Sequence, residues 1–98
     1  MNKKIITIIE GKVNKDKWSL FQNAYERVAK KSLPDSLLDS YLVQDVNESE
    51  IWRILTVWEN IEAMNTYRKN VETPAWILVY REVGTEPKLV VNEIVLSK

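Results

Sequence analysis

Apolar residues recur along this chain with two different periods, and the places where the period changes mark its elements. Ile5 and Ile9 fall on one face of a strand running from Ile5 to Val13, and Ile6 and Ile8 fall on the other. Both faces are therefore expected to be covered. Trp18, Phe21, Tyr25 and Val28 then follow at i, i+3, i+7 and i+10, the stripe of an amphipathic helix. Asn14 or Asp16 is expected to cap that helix, Lys30 and Lys31 suit its C-terminal dipole, and Pro34 lies just beyond. Leu37 to Val46 reads as a second strand and Ile51 to Glu59 as a third. The polar run from Asp45 to Glu50 turns between them as an antiparallel hairpin.

Asn60 is placed to cap a second helix, with Glu62 in its first turn and Ile61, Met64 and Tyr67 or Arg68 as its inner stripe. Thr73-Pro74 predicts a third helix, with Thr73 as N-cap and Pro74 at the first helical position. That helix covers Ala75 to Val83 and ends at Gly84. Lys88 to Leu96 reads as the last strand, with Val90, Ile94 and Leu96 on one face and Leu89, Val91 and Val95 on the other. The order of elements predicts an α+β, ferredoxin-like fold: a four-stranded antiparallel sheet with its helices on one face. In a monomer the other face would be wet, yet the first, third and last strands are apolar on both sides. A large bare apolar sheet is disfavoured in a soluble monomer, which predicts a second copy covering it in a symmetric homodimer.

Composition narrows the chemistry. The 98 residues show no repeat and no linker, and one domain over 1–98 is expected. The chain has no cysteine and no histidine. That removes Cys/His zinc sites, Cys-ligated clusters, His-ligated haem and every Ser-His or Cys-His nucleophile. It also removes the side chain that most often serves as acid or base near neutral pH. Any catalysis must use carboxylates, Tyr, Lys, Arg, Asn, Trp or the substrate's own reactivity. Asp45, Asn47, Glu48 and Glu50 imitate a calcium loop but lack its central glycine and terminal bidentate glutamate, so no metal and no cofactor site is expected. Gly11 and Gly84 are isolated and form no phosphate-binding loop.

Formal net charge is zero, but residues 1–31 carry eight Lys/Arg against three acidic residues. The basic residues are interrupted and an acidic remainder exists to pair with them, so no nucleic-acid partner is expected. The basic head of MNKKIITIIEGK precedes an apolar run that Glu10 ends too early for a signal peptide, and no segment approaches a membrane span. The expectation is a cytoplasmic protein without a membrane partner.

The candidate chemistry centres on Ile51 to Met64. Trp52, Ile54, Thr56 and Trp58 share one face of the third strand. Two readings are open: an aromatic core, or the wall of a pocket that stacks a planar molecule. Trp76 and Tyr80, at i and i+4, form either one aromatic patch capping such a pocket or ordinary packing against the sheet. Arg53 is a polar position in an apolar strand, and Glu93 or Asp39 is its expected partner, between strands or subunits.

The layout and size, the strand ending in Trp58, the Glu62-Ala63 pair and the Thr73-Pro74 start together resemble the antibiotic biosynthesis monooxygenase family, within the dimeric α+β barrel superfamily. The resemblance implies a homodimer whose two sheets face each other, and a pocket in each subunit between sheet and helices. Several members oxygenate phenolic or hydroquinone-type compounds without metal or flavin; others degrade haem. Many carry a histidine on the helix after the strand-end tryptophan, where this chain reads Tyr67-Arg68-Lys69-Asn70. Others use an Asn four positions before that tryptophan, where Ile54 stands.

The resemblance implies Trp58, Arg68 and Tyr67 as catalytic candidates: Trp58 to position the ring, Arg68 or Tyr67 to stabilise negative charge. Neighbours on a helix diverge by about 100°, so one of Tyr67 and Arg68 is expected to face solvent. Trp52, Thr56, Trp76 and Tyr80 are the substrate-binding candidates. The function so implied is a cofactor-independent monooxygenase of a small electron-rich aromatic. The alternative is a non-catalytic small-ligand-binding or structural homodimer of the same fold, which the missing histidine supports.

Overall fold

The computed structural model describes residues 3–31 and 33–98. The chain runs through β1 (Ile5–Lys12), a 3₁₀ turn (Lys15–Lys17), α1 (Trp18–Ala29), β2 (Leu37–Gln44), β3 (Ile51–Trp58), α2 (Ile61–Asn70), α3 (Ala75–Arg81) and β4 (Lys88–Glu93). Its strands form one four-stranded antiparallel sheet in the order β2-β3-β1-β4. This is the expected ferredoxin-like α+β arrangement. β1 and β3 take the central positions.

The three helices cover one side of this sheet. Along β3, Trp52, Ile54, Thr56 and Trp58 are buried while the residues between them are only partly so. Ile5, Thr7 and Ile9 of β1 share that buried side. Phe21, Ala24 and Val28 of α1 and Trp76, Val79 and Tyr80 of α3 close the main core over it. At its centre Tyr80 is fully buried, its hydroxyl 2.6 Å from the Trp52 carbonyl oxygen and 2.9 Å from that of Ile9. It has one proton and so donates to one carbonyl at a time. Burial pushes its phenol well above the ordinary tyrosine range.

Several helix ends differ from expectation. Neither Asn14 nor Asp16 caps α1; the 3₁₀ turn precedes the helix, and Lys17 stands at its N-cap without a side-chain bond. The turn itself satisfies a donor, Lys17 N–H bonding the Asn14 carbonyl at 2.8 Å. At α3 the N-cap is Pro74 rather than Thr73, its ψ of 140° keeping it outside the helix. The helix stops at Arg81 rather than Val83, with Glu82 as its C-cap, and Gly84 follows in the turn with a φ of 78° that only glycine adopts freely. Ile61 is exposed at the edge of α2 rather than part of an inner stripe.

Asn60 does cap α2, its side-chain oxygen accepting the Ala63 N–H at 2.8 Å. Asn60→Ala is expected to cost about 1 kcal/mol. That corresponds to a fall of roughly 4–8 °C in unfolding temperature, readable by thermal denaturation.

The last strand stops at Glu93 rather than Leu96, after a final bond from Ile94 N–H to the Lys4 carbonyl. Val95 and Leu96 are exposed. On the uncovered side of the sheet Arg53 meets Glu10 at 2.6 Å and Asp45 at 3.0 Å, instead of Glu93 or Asp39. The register puts Glu10 directly across from Arg53, whereas Asp39 lies opposite Val57. Asp45 closes the hairpin turn: one carboxylate oxygen accepts the N–H groups of Asn47 and Glu48, both at 2.8 Å. These bonds, with Arg53, hold its carboxyl below the usual carboxylate range. No metal-binding cluster occurs among the described residues.

Much of the rest of the uncovered side is apolar, with Asp39 of β2 and Lys88 and Asn92 of β4 the polar positions on its edge strands. Ile6 and Ile8 of β1, Leu55 and Val57 of β3, Tyr41 and Val43 of β2 and Val90 of β4 face it. Tyr41 is 54% exposed and Val90 52%. No helix of the described residues is long and apolar enough to cross a membrane.

Candidate functional site

The buried side chains under the helices divide into two groups. One is the main core beneath α1 and α3. The other is small: Ile5, Trp58 and Met64, with Leu37 and Tyr67 packed against it. A narrow cleft separates them, lined chiefly by Thr7, Trp58, Met64, Tyr67, Arg68 and Trp76, with Ile77 and Leu89 completing its apolar wall. Its volume is about 30 Å³, room for a water molecule or two and less than an aromatic ring needs.

Local sequence builds each wall. β3 ends at Trp58, and the Asn60 cap starts α2 immediately, so the helix folds back over the strand end. Met64 and Tyr67, three residues apart on one helix face, then meet the indole. The Tyr67 and Trp58 rings lie 5.3 Å apart, tilted by 40°. The Tyr67 hydroxyl accepts the Ala75 N–H at 3.3 Å. It thereby serves one of the N–H groups that the first turn of α3 leaves unpaired. Trp76, on the facing wall, stacks on Tyr25 at 4.8 Å and 21°. The Tyr25 hydroxyl is held in turn by Ser40 at 2.9 Å.

Of the residues singled out from the sequence, Trp58, Tyr67, Arg68 and Trp76 come together at this cleft. Tyr67 packs inward and Arg68 is exposed at the rim, as their divergence on the helix requires. Thr56 is fully buried and does not line the cleft itself; its cross-strand partner Thr7 does. Trp52 and Tyr80 are not brought to the cleft. Six strand residues separate Trp52 from Trp58 by roughly 20 Å. Trp52 instead packs edge-on against Trp18 at 5.8 Å and Phe21 at 5.7 Å. Trp76 and Tyr80 do not form a shared patch either: Trp76 stacks on Tyr25, while Tyr80 packs on Phe21 at 4.7 Å. The i, i+4 spacing aligned them, but α3 lies over two different neighbours along its length.

Thr7, Met64 and the Tyr25–Ser40 pair are site residues that sequence reasoning did not single out. Thr7 had a visible signal, being the polar position between Ile5 and Ile9 on the buried side of β1. Among the described residues Arg68 is the sole charged one lining the cleft, and no carboxylate lines it. The arrangement can hold a flat apolar body between aromatic walls and favour negative charge at the mouth. Two wider hollows, one beside Lys3 and Glu93 and one beside Lys12 and Glu50, are open and edged by charged side chains.

The model of the family described as antibiotic biosynthesis monooxygenase matches residues 4–77. No curated protein matches the chain. Among solved structures, the chain is similar to a protein of unknown function from Bacteroides thetaiotaomicron, at 17% identity and a TM-score of 0.73, covering 95% of this chain and 99% of that one. It is similar to a candidate antibiotic biosynthesis monooxygenase from Deinococcus radiodurans at 14% identity and a TM-score of 0.74, covering 96% and 95%. It also resembles a variant of SnoaB, a cofactor-independent oxygenase from Streptomyces nogalater, at 10% identity and a TM-score of 0.69, covering 97% and 96%. At such identities the likeness to these structures is one of fold.

Proposed function

The chain belongs to the antibiotic biosynthesis monooxygenase family, and on that premise we propose that it is a cofactor-independent monooxygenase of a small electron-rich aromatic, working as a homodimer. The observation that carries this reading is the cleft itself: facing walls of Trp58 with Tyr67 and of Trp76, and one cation, Arg68, at the mouth. A ring held between those walls loses its water, and its oxygen anion gains the guanidinium as a partner.

In this reading the substrate anion is the reductant. It passes electrons to dioxygen, one oxygen atom bonds to the activated ring carbon, the O–O bond breaks and the second oxygen leaves as water. A ring CH₂ thereby becomes a carbonyl, with both hydrogens accounted for in the water. The protein contributes orientation and desolvation. With no histidine in the chain and no carboxylate among the described residues that line the cleft, the proton leaves by the substrate's own acidity. The rate is then expected to rise with pH through the substrate's pKa and to shift with it from one phenol to another. Admission of a ring requires the cleft to widen, and the long Tyr67–Ala75 bond is the tie that must loosen.

The test is oxygen uptake by the metal-free protein with hydroquinones and anthrone-like phenols, beside Trp58→Ala. Removing the indole wall is expected to lower kcat/KM by on the order of tenfold to a hundredfold. Equal uptake by the two proteins would remove Trp58 from the site. The small volume of the cleft and the missing histidine favour a second reading, a non-catalytic ligand-binding or structural homodimer. Absence of uptake by wild type across the panel selects it.

A further inference from the structure

Three hydroxyl side chains lie side by side on the helix-covered side of the sheet. Ser40 on β2 pairs in register with Thr56 on β3, and Thr56 pairs with Thr7 on β1. Buried hydroxyls are costly unless they are bonded. Ser40 is bonded, to the Tyr25 hydroxyl at 2.9 Å. Thr7 Oγ1 reaches only the Thr56 carbonyl oxygen, at a marginal 3.5 Å. Thr56 Oγ1 is fully buried and has no partner. The other such atom among the described residues, Trp52 Nε1, sits in the main core, away from the cleft.

Packing does not account for a threonine at position 56. Every other helix-facing residue of β3 is apolar, and valine would fill the same volume without an unbonded hydroxyl. Position matters instead. Thr7 lines the cleft, and Thr56 is its cross-strand neighbour, with Cβ atoms about 5 Å apart. The row thus ends in two under-bonded hydroxyls, Thr7 lining the cleft on its sheet side and Thr56 fully buried next to it. Its third member, Ser40, acts on the wall instead, holding Tyr25, on which Trp76 is stacked.

We propose that the hydroxyls of Thr56 and Thr7 form a polar floor that receives an oxygen atom of the bound aromatic, so that the ring enters the cleft oxygen-first. This rests on the aromatic-binding reading above and adds what orients the ring within it. A threonine hydroxyl both donates and accepts, so the floor takes a phenol or a carbonyl oxygen alike. It accordingly holds both an oxygenated substrate and its more oxidised product. A site built to bond an oxygen discriminates strongly against the analogue that lacks it.

The experiment is equilibrium dialysis of 2-naphthol and of naphthalene against wild type, Thr56→Val, Thr7→Val and, as a surface control on α2, Thr66→Val. Wild type and the control are expected to hold the naphthol about tenfold tighter than naphthalene, the worth of one good hydrogen bond. Thr56→Val is expected to lose that preference with its naphthalene affinity unchanged, and Thr7→Val to lose part of it. Thr56→Val is also expected to unfold several degrees higher than wild type, because an unbonded hydroxyl has been removed. Thr56→Ser, which keeps the hydroxyl, is expected to keep the preference. A preference intact in Thr56→Val overturns the proposal, and so does a fall in its unfolding temperature, which would show the hydroxyl already bonded inside the fold. If wild type binds neither probe, the aromatic-binding reading fails and the polar floor fails with it.

Discussion

Gly11→Ala is expected to lower the unfolding temperature by roughly 5–20 °C, the equivalent of about 1–3 kcal/mol of overpacking. A Cβ at this position would stand 2.7 and 2.8 Å from two ring carbons of Tyr80 and 2.9 Å from the Thr85 methyl. Neither neighbour is free to retreat. The Tyr80 ring packs on Phe21, and its hydroxyl is held against the Ile9 and Trp52 carbonyls. Thr85 is fixed by a 2.6 Å bond from its own hydroxyl to the Lys12 carbonyl. The reason is space rather than backbone freedom, since Gly11 does not have a positive φ. Thermal denaturation of Gly11→Ala, Tyr80→Leu and the double variant checks it. The double is expected to lose less than the two singles together, because the smaller side chain opens room for the methyl. An unchanged unfolding temperature in Gly11→Ala would mean that Tyr80 yields, and that the core is less rigid at its centre than its bonds imply.

Leu55→Glu is expected to turn a dimer into a monomer. Leu55 lies between Ile8 of β1 and Tyr41 of β2 on the uncovered side of the sheet. That face brings Ile6, Val57, Val43 and Val90 alongside. In the homodimer proposed above, this apolar face is the one that the second copy covers. The charged cluster of Arg53 with Glu10 and Asp45 is already paired within a single copy, and the other charged positions of the face, Asp39 and Lys88, lie on its edge strands. A glutamate at its middle would carry an unpaired charge into the interface, where desolvation costs several kcal/mol. The dimer should weaken by two orders of magnitude or more. In the isolated chain Leu55 is only partly buried, so the variant is expected to fold. Sedimentation at micromolar concentration separates the cases. A wild type that sediments as a monomer overturns the homodimer.

Much of the architecture was legible because it is carried by short-range periodicity. Alternation placed Trp52, Ile54, Thr56 and Trp58 on one side of β3, and the structure buries all four there. The stripe on α1 likewise anticipated the burial of Phe21 and Val28. Asn60 declared its cap through its residue type and position. Errors fell at places where a local signal competed with a tertiary one. Asn14 and Asp16 suited a cap but gave way to a 3₁₀ turn. Arg53 found Glu10 because of a strand register that single-strand periodicity does not encode.

The cleft was legible only in part. Trp52 and Trp58 are equivalent in sequence terms, two tryptophans on one face of one strand. Their fates differ because α1 brings Phe21 and Trp18 over the first, while α2 brings Met64 and Tyr67 over the second. The adjacency of Thr7, Thr56 and Ser40 likewise exists only once β1, β3 and β2 have paired. By itself, then, the sequence determined which faces are apolar, where the helices lie, and that neither histidine nor cysteine chemistry is open to this protein. Only the tertiary structure decided which aromatic side chains form a core and which form a cleft. Periodicity reports the direction a side chain takes from its own strand or helix. What it meets there depends on partners many residues away, whose position is set by the packing of the whole chain.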